Sequence, residues 1–245
     1  MRDLPGPLTL LGPGARRRAR RVADLVLAPV SSVAGGHDLS QVAVTFDDGP
    51  EPSVTPPLLE LLARHEVRCT FFLLVKQAEQ HPDLVRAVVE AGHEIALHGL
   101  DHRPLPPMGH RGAYRYLREA KARLEAVAQV PVHWYRPPYG KQSVRSWAAA
   151  RRAGLDVVVW SADAADWEDL DVAAVVELAH VRLAGGGVLL LHERLEPGPA
   201  GEPVESHLDR VEMVERVLTD LGGRGLRPVT VGDLARRARR TAWFR

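Results

Sequence analysis

Two adjacent carboxylates, Asp47 and Asp48, end the apolar run of "VTFDDGP" and are followed at once by a Gly-Pro step. Inside a strand such neighbours point to opposite faces. At a strand's end the chain turns, and both acids can reach one cleft. Like charges that close require a cation, hydrogen bonds or a shared proton. Further on, "HGLDH" spaces His98 and His102 by four, which on a helical turn puts both imidazoles on one face. Two imidazoles and a carboxylate suit zinc or a related transition metal, with the remaining positions open to water or substrate. Asp48 supplies that carboxylate if the first and third strand ends meet. Asp47 is then free to act as the base that takes a proton from water beside the ion.

Three more segments carry groups that complete such chemistry. "RPPYG" offers Arg136 as the guanidinium that keeps Asp47 ionised, and its Pro-Pro turn orients Tyr139. His192, the last residue of "VLLLH", is a candidate general acid, because histidine exchanges protons near neutral pH. An acidic partner would raise its pKa, and "DAADW" contains both Asp163 and Asp166. Other histidines, such as His65, His81, His110 and His207, read as surface residues.

The elements that must position these groups alternate along the chain. Apolar runs "QVAVTF", "CTFFLLV", "HEIALH", "DVVVW" and "VLLLH" read as buried strands, and "RPVTV" as a short last one. Helical spacing marks "TPPLLELLARHE", "HPDLVRAVVEAG", "GAYRYLREAKARLEAVA", "SVRSWAAARRAG", "VAAVVELAHVRLAGGG" and "ESHLDRVEMVERVLTDLGGRG". Strands that are apolar throughout, separated by helices, form a parallel sheet covered on both faces or closed into a barrel. In such barrels chemistry sits at the carboxyl ends of strands. Asp47-Asp48, His98, Arg136, Asp163 and His192 each follow a different apolar run.

The chain has 245 residues, 45% hydrophobic and 26% charged, enough for one sizeable α/β core. Its single cysteine, Cys69, excludes an internal disulfide and reads as a small buried residue. Net charge is +1, but six arginines face two aspartates in residues 1–36 and six face one in residues 226–245. Basic ends therefore flank an acidic middle. That pattern speaks against a nucleic-acid partner and leaves a weak contact of the termini with an anionic surface, helped by Trp243-Phe244. The Gly35-Gly36 step divides a basic extension (1–36), partly flexible or helical, from one domain (37–245) that ends in a basic helix. No stretch is long and apolar enough to span a membrane, and the start is a poor export signal, which favours the cytoplasm.

In order, "TFDDGP", "HGLDH", "RPPYG", "DAADW" and "LLLHE" resemble the five motifs of the polysaccharide deacetylase family, the NodB homology domain of carbohydrate esterase type. The resemblance covers residues 41–235. It implies an α/β fold, an irregular (β/α) barrel with a parallel strand core. It also implies a metal-dependent hydrolase that removes N-acetyl groups from an N-acetylglucosamine-containing saccharide and releases acetate; the chain is expected to act as a monomer. Asp47 resembles the family's base, while Asp48, His98 and His102 resemble its ligands for one divalent metal, zinc or else cobalt or another divalent ion. Arg136 would pair with Asp47, and the Tyr139 backbone N–H would join the metal in stabilising the oxyanion. His192 would protonate the leaving amine, tuned by Asp166, and Leu190 and Trp167 would shape the pocket for acetyl and sugar.

Three residues depart from the family pattern: Gly99 in place of Ser or Thr, Leu97 in place of Asn, and Glu193 in place of Asp. Gly99 removes a hydroxyl that would hold the metal loop, so weaker metal binding is expected. The alternatives are a related amidase acting on a small non-sugar amide and a non-catalytic sugar-binding domain.

Overall fold

The computed structural model describes residues 31–198, 201–202, 204 and 206–244. The arginine run at residues 16–21 lies outside them. In chain order the strands are β1 (Ser32–Gly36), β2 (Gln41–Asp47), β3 (Thr70–Leu74), β4 (Glu94–Gly99), β5 (Trp134–Tyr135), β6 (Asp156–Val157), β7 (Ala162–Asp163), β8 (Val188–His192), β9 (Arg227–Val229) and β10 (Ala238–Thr241). The helices are α1 (Thr55–Arg64), α2 (Val75–Gln80), α3 (Pro82–Glu90), α4 (Gly109–Ala128), α5 (Val144–Arg152), α6 (Val172–Arg182), α7 (Arg210–Gly223) and α8 (Val231–Leu234).

Eight strands form one curled sheet in the order β6-β5-β4-β3-β2-β8-β7, with β9 added beside β2. Every pairing in it is parallel, as apolar strands joined through helices require. The sheet stops short of closure between β6 and β7, giving a half-barrel. β1 crosses that gap: Val33 bridges Val158 and Gly35 bridges Gly187.

Strand alternation sorts the core into two layers. Val42, Val44 and Phe46 of β2, with Phe71, Leu73, Ile95, Leu97, Leu189 and Leu191, pack outward against the helices. The helices answer with apolar residues three and four apart, such as Leu58, Leu61 and Leu62 of α1 and Ala113, Leu117, Ala120 and Leu124 of α4. On the inner face Ala43, Phe72, Ala96, Val158 and Val188 fill the barrel with Val33. Asp47 shares the parity of Ala43, His98 that of Ala96, and His192 that of Val188. All three therefore stand on the inner face at carboxyl ends of their strands.

Two expected boundaries shift. Residues 32–36 belong to the folded unit: Ser32 and Val33 are buried, and β1 pairs antiparallel with β10. The Gly35-Gly36 step lacks side chains because backbone and Leu234 press on it there, not because it links domains. The basic C-terminal helix is likewise absent. Helix α8 is four residues long, Arg236 and Arg237 fall in one 3-10 turn, and Arg239 and Arg240 lie in β10, where β1 offers an edge to pair with, whereas a helix of this sequence would have no apolar face to dock. Between β3 and α3 a further short helix, α2, begins at Val75, a residue expected to end the strand. No helix among the described residues is long and apolar enough to cross a membrane.

Candidate active site

Asp47 is the last residue of β2 and Asp48 the first of the turn, with φ at +70. That left-handed step swings the Asp48 carboxyl to the face its neighbour already occupies, so the split a strand would impose does not occur. Both are buried. Asp47 Oδ1 accepts a hydrogen bond from Arg136 Nη1 at 2.6 Å, and the same nitrogen donates to Thr45 Oγ1 at 2.8 Å. The Arg136 guanidinium is fully buried and lies 4.0 Å from the Phe72 ring centroid. An unpaired buried charge costs several kcal/mol, so this arginine depends on Asp47 being ionised. Burial raises the Asp47 pKa and the Arg136 charge opposes the rise.

Asp48 Oδ1 lies 3.4 Å from His98 Nε2 and 3.5 Å from His102 Nε2. His98 Nδ1 is 2.9 Å from the Arg136 carbonyl oxygen, which can only accept. The proton therefore sits on Nδ1, and Nε2 turns a lone pair toward Asp48. Burial pushes both imidazoles down to a pKa of about 3, so they are neutral. A neutral nitrogen lone pair and a carboxyl oxygen face each other, a contact that a cation or a shared proton would satisfy. Asp48 Oδ1 and His102 Nδ1 are buried without a hydrogen-bond partner. Burial raises the Asp48 carboxyl to about 7, with neighbouring Asp47 and Glu196 adding to the rise against His192. Neutral imidazoles, an unanswered carboxylate and ligand atoms within 4.8 Å of one another fit a divalent cation.

His192 ends β8 and is paired with Asp47 in the β2–β8 register. Its Nδ1–H donates to Asp166 Oδ1 at 2.8 Å, and its backbone N–H to Asp166 Oδ2 at 2.7 Å. Burial lowers the imidazole pKa, but the Asp166 charge and hydrogen bond outweigh it and raise it to about 9. His192 is thus an imidazolium at neutral pH, with Nε2–H available to the cleft. Of the two acids in "DAADW", Asp166 takes this part, while Asp163 pairs with Arg182.

The cleft has a volume of about 510 Å³. Asp47, Asp48, His98, His102, Tyr139, Trp167, Leu190 and His192 all line it, and Arg136 and Asp166 stand buried behind. Trp167 meets His192 edge-on with centroids 5.7 Å apart, and the Tyr139 ring lies tilted against His102 with centroids 4.2 Å apart. Three supports escaped the sequence reading. Arg210, at the start of α7, donates to Asp166 Oδ2 at 3.1 Å and to the His192 carbonyl at 3.0 Å. Glu196 lines the cleft, sends its backbone N–H toward Asp48 Oδ2 at 3.4 Å and receives Lys76, Gln77 and Arg194. Trp160 forms part of the wall. Neither Arg210 nor Glu196 lies in an apolar run, and only tertiary contact reveals them. Two residues that depart from the family pattern also find places: Leu97 packs in the outer core, and Glu193 Oε1 accepts from Thr55 Oγ1 at 2.5 Å.

The polysaccharide deacetylase family model matches residues 35–158, half of the chain. The chain belongs to the polysaccharide deacetylase family. Within the family it is 34% identical over 192 residues to a chitooligosaccharide deacetylase of Sinorhizobium fredii, covering 78% of this chain and 89% of that one. It is 31% identical over 195 residues to a peptidoglycan-N-acetylglucosamine deacetylase of Listeria monocytogenes, covering 79% of this chain and only 38% of that relative. Among solved structures, a peptidoglycan N-acetylglucosamine deacetylase in complex with 4-naphthalen-1-yl-N-oxidanyl-benzamide superposes with a TM-score of 0.76 at 26% identity. That match covers 91% of this chain and 98% of the other. This agreement supports the half-barrel as a deacetylase fold and corresponds to the irregular barrel expected from the motifs.

Proposed function

We propose that the chain is a zinc-dependent hydrolase that removes N-acetyl groups from an N-acetylglucosamine-containing oligo- or polysaccharide. The observation that carries this reading is the coexistence, in one cleft, of an aspartate paired with a buried arginine, a carboxylate with two neutral imidazoles, and a histidine hydrogen-bonded to a second carboxylate. The named activities of the relatives agree with it. Asp48, His98 and His102 hold the ion, through one carboxylate oxygen and two imidazole nitrogens. When bound, the ion supplies Lewis acidity that polarises the amide carbonyl and acidifies water.

Asp47 takes the proton from the attacking water, with Oδ1 anchored on Arg136 and Oδ2 left on the cleft side. The Tyr139 backbone N–H donates to the oxyanion of the tetrahedral intermediate. His192 gives its Nε2 proton to the departing amine, and Asp166 with Arg210 keeps that proton in place until it is needed. Leu190 and Trp167 receive the acetyl methyl and the sugar. Water's hydroxyl joins the acetyl carbon as the C–N bond breaks, its proton stays on Asp47, the amine leaves with the proton from His192, and loss of a proton from Asp47 with uptake of one by His192 restores the site.

Metal-stripped protein, re-supplied with zinc or cobalt, is to be tested for acetate release from N-acetylglucosamine oligomers of graded length beside small N-acetyl amides. Metal-dependent release that rises with oligomer length supports the saccharide reading. Release from small amides alone would replace it with the amidase reading.

A further inference from the structure

His98 is the last residue but one of β4 and His102 stands three residues beyond the strand's end, so the short loop between them sets how the two rings face each other. Gly99 takes φ +133, a conformation L side chains rarely adopt. A β-carbon there would lie 2.8 Å from the Asp101 carbonyl oxygen and 3.0 Å from the Tyr116 hydroxyl. The space beside Gly99 is thus kept for a phenol that arrives from α4. Tyr116 Oη accepts the Leu100 N–H at 2.9 Å and the Asp101 N–H at 3.1 Å. Its own proton faces the Asp101 carbonyl at 3.0 Å and Asp101 Oδ1 at 2.9 Å. A phenol has two lone pairs and one proton, so two amides and one acceptor use all of it. On the loop's other side the Leu100 carbonyl accepts from Lys76 N–H at 3.0 Å, so the backbone between the histidines is gripped from α4 and α2 together.

We propose that Tyr116 is a positioning residue for the cation site: its hydroxyl pins Leu100 and Asp101 so that His98 and His102 are aimed at Asp48 before any ion arrives. The proposal rests on the assignment of Asp48, His98 and His102 as ligands. It reverses the weak metal hold expected from Gly99, because a hydroxyl is present at the loop and comes from a helix instead of the next residue. Ordering the loop in advance removes an entropic cost from metal binding, and partners of this kind are typically worth about 10–100-fold in metal affinity.

The test is Tyr116→Phe, which keeps the ring in α4 and removes only the hydroxyl. Tyr114→Phe on the same helix serves as control, since Tyr114 touches Arg118 and Arg152 and not the loop. Zinc affinity is measured by competition with a chromogenic chelator, and amide hydrogen exchange is followed in the metal-free protein. The expected result is a roughly 10–100-fold weaker affinity for Tyr116→Phe, with faster exchange at Leu100 and Asp101 and unchanged protection in β3 and β8. Tyr114→Phe should match wild type. Wild-type affinity and unchanged exchange in Tyr116→Phe would overturn the proposal. Should Tyr116→Phe lose β3 and β8 protection, exchange in the metal-free wild type decides: protected Leu100 and Asp101 amides, as their bonds to Tyr116 require, support the proposal, and unprotected ones overturn it. The ligand assignment fails separately, if Asp48→Asn binds zinc as tightly as wild type.

Discussion

Asp166 decides which proton His192 carries. Burial alone would leave that imidazole neutral at pH 7; the carboxylate 2.8 Å from Nδ1 raises its pKa to about 9. Asp166→Asn removes the charge that raises it while the burial that lowers it stays. The alkaline limb of kcat/KM against pH should therefore fall from about 9 toward or below the ordinary histidine value of about 6.5. A pH profile of the variant checks this, and an unmoved limb would take Asp166 out of the proton path. Asp47, Asp48, His98 and His192 were legible in the sequence because each is a polar residue interrupting or ending an apolar run. The strand parity that hides apolar neighbours puts Asp47, His98 and His192 on the inner face, and the left-handed step at Asp48 brings that carboxyl to the same side. The residue pattern alone left Asp163 and Asp166 open and the motif resemblance named Asp166; spacing could not decide, since Arg182 and Arg210 lie on separate helices and their reach depends on the folded turn.

At the level of elements, the C-terminal segment was the part read least well. "RRARR" has no apolar spacing, and its strand exists because β1 offers an unpaired edge. The residues after it brace the cleft. Trp243 Nε1 donates to the Gly140 carbonyl at 2.9 Å, and the ring meets Trp160 edge-on at 5.1 Å. Gly140 follows Tyr139, and with φ +63 a β-carbon on it would lie 2.8 Å from Trp160. Trp243 is thus turned inward. Its replacement by alanine should lower stability by about 3–5 kcal/mol in denaturant unfolding and depress kcat by loosening the Tyr139 turn. A loss under about 1 kcal/mol would show that the segment merely lies on the barrel.

For the whole molecule, the half-barrel brings the ends of five separate strands to one mouth, and β1 spans its open side. Motif order and strand–helix alternation were enough to read that architecture, because parallel pairing follows from connections that are helices. The start of the folded unit was not, because Val33 and Ser32 owe their burial to β6 and β10, elements more than a hundred residues away in the chain. A chain beginning at Ser31 should melt at a clearly higher temperature than one beginning at His37, which lacks the strand across the gap. Equal melting temperatures would place the boundary after Gly36.

In the proposed mechanism two adjacent aspartates divide the labour, Asp48 holding the ion and Asp47 moving the proton. Asp47→Asn and Asp48→Asn, each assayed for bound zinc per chain and for acetate release, test it directly. Asp47→Asn should keep one ion per chain, which shows that the ligand site still folds, and should lose about 10²–10⁴-fold in kcat. Asp48→Asn should lose the ion. Wild-type turnover in Asp47→Asn, or undiminished zinc in Asp48→Asn, would contradict the division.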